Sequence, residues 1–508
     1  MNDRRKHIVV LSGAGISAES GLGTFRDEGG LWKGVDPMTV ASAEAWKKDS
    51  RGVLDFYNQR RDTLAAAVPN AAHYLVAELE RWYDVTVLTQ NIDDLHERAG
   101  SSNVIHLHGE LTKARPEDAY DWDDGFSEFD VEYIGYEPLF PGKTGGENRS
   151  QMRPHVVLFG EPAPLIAKAA LEVRTADIFL IVGTSLQVEP ASLLYDELRS
   201  DCPVYVIDPG VVPVADDLGV FRIREKATDG MQTLFRKLGH DVTMIEVKDF
   251  NREGDQWVPP RSIYHGVTYI LSDDGCCLSR HSDGFWEQFH YDDQGRFLHR
   301  VLYTYMLGCS TVHETDIEYG DDGRCIREGE TNSENERETS WNWSRKGMKA
   351  EIRDTSRTRV YYRPDGLPKH VIVGWTLAES FEFFYKWYPD GTLRSVKAKL
   401  RVYERPRSRK RKLHILTQLY DRTGLLRSLQ SDKRSFHFQY VFDDRGNWVS
   451  REKYDRRGNP LERIERTIRY GGRAVGWKMD PVGLNFQRGF IDPNRDTLNY
   501  IHLNDRSR

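Results

Sequence analysis

Apolar residues fall into short runs and helical stripes through the first 240 positions, and beyond them the chain becomes rich in Tyr, Trp, Arg and Asp-Gly turns. Residues 7–12 (HIVVLS) are a strand-length apolar run that stops at Gly13. Residues 51–67 and 71–83 carry apolar side chains at three- and four-residue spacing, with Pro69-Asn70 between them, and predict two helices. VTVLTQN (85–91), VIHLHG (104–109), ADIFLIVGTS (176–185) and VYVID (204–208) predict further strands. Strands alternating with helices predict a Rossmann-like α/β domain. Its parallel sheet is covered on both faces, and its ligand crevice lies beyond the C-terminal ends of the strands. The glycine-rich turn after the first strand, leading into a helix, suits a phosphate.

Residues 240–262, with Pro259-Pro260, read as a domain exit. The predicted organisation is an α/β domain at 1–245, a linker at 246–261, an all-β antiparallel hairpin-repeat domain at 262–475 and an irregular tail at 476–508. In the repeat region an aromatic residue precedes a glycine by four positions at Tyr291/Gly295, Tyr319/Gly323, Tyr362/Gly366, Trp387/Gly391, Tyr420/Gly424, Phe442/Gly446 and Tyr454/Gly458. Most of these turns contain Asp, and the glycine supplies the positive φ that a tight hairpin turn needs. Taken singly, each aromatic is a packing residue at a strand end; the shared offset makes them a repeat. The pattern loosely resembles YD-type or MORN-like hairpin repeats, which implies a role in binding a protein partner.

Composition narrows the class. The 508 residues are 39% hydrophobic and 29% charged. No apolar run reaches the roughly 18 residues of a membrane span, and the first run is too short for a signal peptide's apolar segment. Five scattered cysteines, Cys202, Cys276, Cys277, Cys309 and Cys325, fit a reducing, cytoplasmic setting better than a disulfide framework. Residues 1–245 hold 25 Lys+Arg and 39 Asp+Glu, a net of −14; the remainder holds 46 and 39, a net of +7, and the two sum to −7. These are either two solvated surfaces or surfaces that attract each other or separate partners. The basic run at 405–412 fits a charged hairpin loop better than a nucleic-acid site.

The candidate chemistry lies at the predicted strand ends. Residues 13–26 read GAGISAESGLGTFR, residues 89–93 read TQNID, and His108-Gly109 follows. A glycine turn brings backbone close to a pyrophosphate, an Asn/Asp pair can hold a ribose, and a His can act as base. Together these motifs, from about Ile8 to about Gly239, resemble the sirtuin family of NAD-dependent protein deacylases. The resemblance implies that the substrate's acyl oxygen attacks the nicotinamide ribose, releasing nicotinamide and leaving free lysine and O-acyl-ADP-ribose. It assigns His108 as base, with His106 as the lesser candidate, and Asn91 and Asp93 as its catalytic partners. Gly13, Ala14, Gly15 and Ser17 match the pyrophosphate turn, and Phe25 and Arg26 the mobile cofactor loop. Gln90, Asn91 and Asp93 match the nicotinamide and ribose set, and Gly183, Thr184 and Ser185 the second nucleotide turn. Asp208 stands where many members carry Asn at the adenosine ribose. Val157, Leu158, Phe159, Gly160 and Glu161, with Val188, Glu189 and Pro190, match the loops between which an acylated-lysine peptide docks as a strand. Tyr57 and Arg60, three apart on a predicted helix, match members that favour malonyl- or succinyl-lysine, since a guanidinium can pair with the acyl carboxylate. Ala41 matches the small residue that widens that pocket.

Two features leave the pattern. Most members carry two cysteine pairs that hold Zn²⁺ after the catalytic His, whereas no cysteine occurs between His108 and Cys202. No zinc is therefore expected. In that place lies 116–137, with nine acidic residues and no Lys or Arg. It suits recruitment of basic substrates, docking on the basic repeats, or a solvated flap. The alternative to a deacylase is an NAD-hydrolysing effector whose repeats sense a trigger; the retained peptide loops and the Tyr57/Arg60 pair weigh against it.

Overall fold

The run His7–Ser12 is buried at all six positions, so it needs cover on both faces, which a central strand of a parallel sheet receives. In the computed structural model it is β1 of a six-stranded parallel sheet, with β2 (Asp84–Thr89), β3 (Val104–His106), β6 (Ile178–Val182), β7 (Val204–Ile207) and β8 (Val220–Ile223). The order is β8-β7-β6-β1-β2-β3. Two strands run off one side of β1 and three off the other, so the topological switch lies between β1 and β6. Ligand crevices of open α/β sheets form at the C-terminal ends of strands at such a switch. Here those ends are Ser12–Gly13 and Val182–Gly183. Residues 4–471 are described, apart from 24–35, 122–124, 127–130, 215–218, 254–255, 259–265, 273–276, 292–296, 307–308, 320–324, 333–335, 345–346, 353–356, 364–367, 375–379, 404–410, 424 and 432–433.

The two expected helices are α1 (Ser50–Ala66), capped by Asp49, and α2 (Ala71–Glu78), capped by Asn70. A helix follows the first glycine turn, as the sequence predicts. Ala14–Ser17 makes one turn, Ala18–Ser20 continues as 3-10 helix, and Gly21 at φ +86° ends it. A smaller antiparallel lobe is built on β4 (Gly109–Pro116) and β5 (Ser150–Val156), with Glu132–Tyr133 and Thr144–Gly145 at its edges. Its apolar cluster joins Leu111, Ala114, Ile134, Leu139, Met152, Val156 and Leu158 to Ala41, Trp46, Leu54 and Tyr57. Among the described residues no helix is long and apolar enough to cross a membrane.

Contacts divide the chain into two units, Met1–Val242 with His281–Trp286 and Tyr303–Ser310, and the rest from Thr243 onward. The second unit is mostly antiparallel strands in sequential pairing, and the first strand, Val242–Glu253, pairs with the last, Pro460–Arg469. Residues 246–253, expected in a linker, thus belong to the sheet, continuing the strand that begins at Val242. Pro259-Pro260 and the tail from 472 lie outside the described residues, as do 405–410 of the basic run.

The aromatic-to-glycine offset has a local cause. The strand register shifts at Tyr319, Tyr362, Trp387, Tyr420, Phe442 and Tyr454. Gly391, Gly446 and Gly458 take φ of +84°, +81° and +86°. In two of these turns the Asp after the aromatic caps the loop. Asp443 Oδ1 accepts from the N–H groups of Arg445 and Asn447, and Asp455 Oδ1 from those of Arg457 and Asn459. This is a three-residue hairpin loop with a left-handed glycine and a bulge, and the bulge falls on the aromatic.

Candidate active site

The glycines at the switch pack backbone on backbone. Gly13 N–H donates to Val182 O at 3.1 Å and Gly15 N–H to Gly183 O at 2.8 Å. A Cβ at Gly13 would lie 2.7 Å from Thr184 Cβ, at Gly15 2.7 Å from Gly183 Cα, and at Gly183 2.3 Å from Ile16 N. Only glycine permits this approach, which brings Ala14 to Ser17 beside Thr184 and Ser185. The cradle fits a dinucleotide pyrophosphate.

Chain leaving β2 supplies the polar set. Gln90 N–H donates to Ser12 O, and Gln90 Nε2 donates to Thr184 Oγ1 at 2.9 Å, joining the two nucleotide turns. Asn91 Nδ2 donates to Gly13 O at 3.2 Å and to Ser17 Oγ at 3.1 Å. Ser17 Oγ in turn donates to Asp93 Oδ2 at 3.0 Å, and Leu95 N–H to Asp93 Oδ1. Burial pushes the Asp93 carboxyl up to about 6, against the pull of these donors.

His106 and His108 both reach the chain after β2, with different partners. His108 Nδ1 lies 3.0 Å from Gln90 O. A carbonyl only accepts, so Nδ1 carries the hydrogen and Nε2 keeps its lone pair. Burial lowers the His108 pKa below its ordinary 6.5. His106 Nδ1 bonds to Asn91 O, and Nε2 lies 2.8 Å from Glu97 Oε1. Burial disfavours its charge, but the Glu97 carboxylate outweighs that and raises it to about 9.

The loop after β5 is joined to both sides of the site. Val157 N–H donates to His108 O, and Phe159 exchanges backbone hydrogen bonds with Ala41 and Ala43. Phe159 and Val188 are exposed apolar residues, and Gly160 has φ +90°. Glu161 is tied within its own loop. Its carboxylate accepts from Arg153 at 2.7 and 3.1 Å and from Leu158 N–H at 2.9 Å, so it shapes the loop from within. Ala41 and Tyr57 are buried in one cluster. Arg60, half-buried, lies 3.6 Å over the Phe56 ring. Asp208 Oδ1 accepts from Gly210 N–H at 2.7 Å at the end of β7, where it lines a cavity of about 160 Å³ with Arg222 and Arg224. Phe25 and Arg26 lie outside the described residues.

Several supporting residues were not foreseen. Asn70 N–H donates to His73 Nδ1, so His73 Nε2 carries the hydrogen toward Ser17 Oγ, 3.4 Å away. His96 bonds to Ser12, and Ser12 to Thr89. Only the capping pair Asn70/His73 left a sequence signal, an Asn three residues before a side chain that can reach back to it. Among the described residues Glu97, His106 and Glu110 place potential metal ligands within 4.8 Å of one another, but His106 is already bonded at both ring nitrogens. A four-thiolate site does not fit, since no cysteine stands between His108 and Cys202.

A family model described as the Sir2 family matches residues 13–190. An NAD-dependent protein deacylase of Helicobacter pylori is 46% identical over 237 residues, covering 46% of this chain and 95% of that one. Another of Bacteroides thetaiotaomicron is 45% identical over 230 residues, 45% of this chain and 96% of that one. A solved Sir2 homolog–NAD complex aligns at 36% identity and a TM-score of 0.41, over 46% of this chain and 90% of that one.

Proposed function

The chain belongs to the Sir2 family, and from that premise we propose that this NAD-dependent protein-lysine deacylase removes succinyl and malonyl groups, with acetyl as a further substrate. The observation that carries the acyl preference is the turn of α1 that presents Tyr57, buried beside Ala41, with Arg60 three residues on. Ring stacking on Phe56 holds that guanidinium, which is planar, always charged and able to grip a carboxylate with two parallel bonds.

NAD supplies the ribose carbon that takes the acyl group. The chain's own residues then do three things. Gly13, Gly15 and Gly183 hold backbone close to the pyrophosphate, with Gln90 locking the two turns. Asn91, Ser17 and Asp93 form one hydrogen-bonded unit that orients the ribose. His108 presents an unprotonated Nε2 at neutral pH, the state a general base needs. Phe159 and Val188 flank the peptide strand, and Glu161 keeps its loop in shape. Asp208 accepts from the adenosine ribose. The antiparallel half binds a protein partner or selects substrates.

The test follows nicotinamide release from NAD with succinyl-lysine and acetyl-lysine peptides of one sequence, beside Arg60→Ala. The proposal expects peptide-dependent release that favours succinyl and a selective loss of succinyl turnover in the variant. Release without peptide, yielding plain ADP-ribose, would make the protein an NAD hydrolase instead.

A further inference from the structure

Asn58 lies on α1 between Tyr57 and Arg60, and both atoms of its amide are engaged. Nδ2 donates to Leu139 O at 2.8 Å and Oδ1 accepts from Leu139 N–H at 2.9 Å, the exchange that a neighbouring strand residue would offer. Arg61, fully buried, donates Nη1 to the same Oδ1 at 2.8 Å and Nε to Leu111 O at 2.9 Å. An oxygen that faces two donors cannot trade places with the amide nitrogen, so this side chain has one orientation. Three residues before Leu139, Tyr136 Oη donates to Asp94 Oδ2 at 2.9 Å and accepts from Arg98 Nη1 at 3.2 Å. Asp94 is buried and directly follows Asp93.

Flanking Tyr136, Ile134 and Leu139 are buried in the cluster that holds Tyr57 and Ala41. The stretch 134–139 is therefore the wall behind Tyr57, tied at Tyr136 to Asp94, next to Asp93, and at Leu139 to Asn58, next to Tyr57. The chain has no cysteine from Gly109 to Asp201, so no thiolate-held metal is available to fix this stretch. The side-chain bonds at Tyr136 and Leu139 fix it instead, beside the backbone bonds from Ile134 and Gly135 N–H to Thr112 O.

We propose that Asn58 and Tyr136 are positioning residues for the acyl pocket, tying 134–139 across α1 so that Tyr57 and Arg60 keep one direction toward a carboxylate-bearing acyl group. The inference rests on the acidic-acyl reading of Tyr57 and Arg60. An acetyl group asks only for space, whereas a succinyl group asks for a guanidinium at a fixed distance. Loosening the wall should therefore penalise succinyl selectively.

The experiment compares the full chain with Asn58→Ala, Asn58→Asp, Tyr136→Phe and Arg60→Ala. It measures kcat and KM for succinyl- and acetyl-lysine peptides, and hydrogen–deuterium exchange over 131–140. Asn58→Ala and Tyr136→Phe should speed exchange in that stretch and lower the succinyl-to-acetyl ratio of kcat/KM by about fivefold, mainly through KM for the succinyl peptide. Asn58→Asp keeps both acceptor roles and should recover part of the ratio. Faster exchange with an unchanged ratio, while Arg60→Ala shifts it, would show the ties to be structural only and overturn the inference. Unchanged exchange in Asn58→Ala would overturn it directly. A ratio that Arg60→Ala leaves unmoved would remove the acyl reading, and the inference with it.

Discussion

Gly183→Ala tests the nucleotide cradle with the smallest possible change. Gly183 sits at φ +61°, and a Cβ there would lie 2.3 Å from Ile16 N and 2.5 Å from Gly15 C. Both neighbours are backbone, so neither can rotate away. The left-handed conformation costs an L-residue about 1 kcal/mol. Forcing a methyl group into closed packing adds about 1–3 kcal/mol. Gly239, at φ +88° with nothing within 4 Å of its Cβ site, bears the first cost alone and serves as the control. In a domain of this size each kcal/mol moves Tm by about 2–4 °C, so Gly183→Ala should fall about 4–16 °C and Gly239→Ala about 2–4 °C. Function should suffer more. Relief of the overlap has to part Gly15 from Gly183, breaking their 2.8 Å hydrogen bond and moving Thr184 away from Gln90. Displacement of about 1 Å at a positioning element costs up to about a hundredfold, so KM for NAD should rise by at least about tenfold, with KM for the acyl peptide little changed. Thermal unfolding followed by circular dichroism and initial-rate kinetics supply both readouts. If Gly183→Ala matched Gly239→Ala in Tm and in KM for NAD, the close-approach account of the cradle would be refuted.

Three further outcomes are expected. Because burial holds His108 below its ordinary 6.5, kcat/KM should stay level through neutral pH and fall only as pH drops past that lowered value; an acid-limb midpoint above 7 in the pH–rate profile would exclude His108 as base. His106, raised to about 9 by Glu97, contributes stability that is full below about 6.5 and lost as pH rises through about 9. The gap in Tm between wild type and Glu97→Gln should accordingly be wide at pH 6 and nearly closed at pH 10; a constant gap would deny the ion pair. Asp443→Ala strips acceptors from Arg445 N–H, Asn447 N–H and Tyr470 Oη. It should cost about 1–2 kcal/mol in urea unfolding, and an unchanged midpoint would mean that the glycine alone holds the turn.

Much of the parallel sheet was legible because its signals are local. Apolar runs that end in glycine mark central strands, and Pro69-Asn70 marks the break between α1 and α2. The features that escaped are those decided by distant partners. The sequence along 242–253 names no neighbour, so pairing of Met244 with Arg469 could not be read, and the strand passed for a linker. Glu161 carries the same sequence signal whether it meets a peptide or Arg153. The aromatic offset of the repeats is visible, but its meaning, a bulge at six of the seven aromatics, is a register property that only paired strands reveal.

The two histidines at the end of β3 carry the same lesson into chemistry. His106 is buried and His108 half-buried, both sit against the chain that leaves β2, and they are two residues apart. Burial alone would leave both neutral. Glu97, nine residues before His106 and on a different element, breaks the symmetry: it meets His106 Nε2 and holds that ring charged, occupying the lone pair that a base would need. No such carboxylate is bonded to His108 among the described residues, and Gln90 O fixes its tautomer with Nε2 available. Two titratable groups driven apart by their surroundings separate a free Nε2 from an engaged one, which is why the proposed base is His108. Glu97→Gln should therefore bring His106 back toward neutrality without giving it His108's role, since His106 would still lack that ring's place beside Gln90. A double variant, Glu97→Gln with His108→Ala, that recovered measurable peptide-dependent nicotinamide release over His108→Ala alone would show position to be interchangeable. Failure to recover, with the fold intact by circular dichroism, is the outcome that the geometry requires.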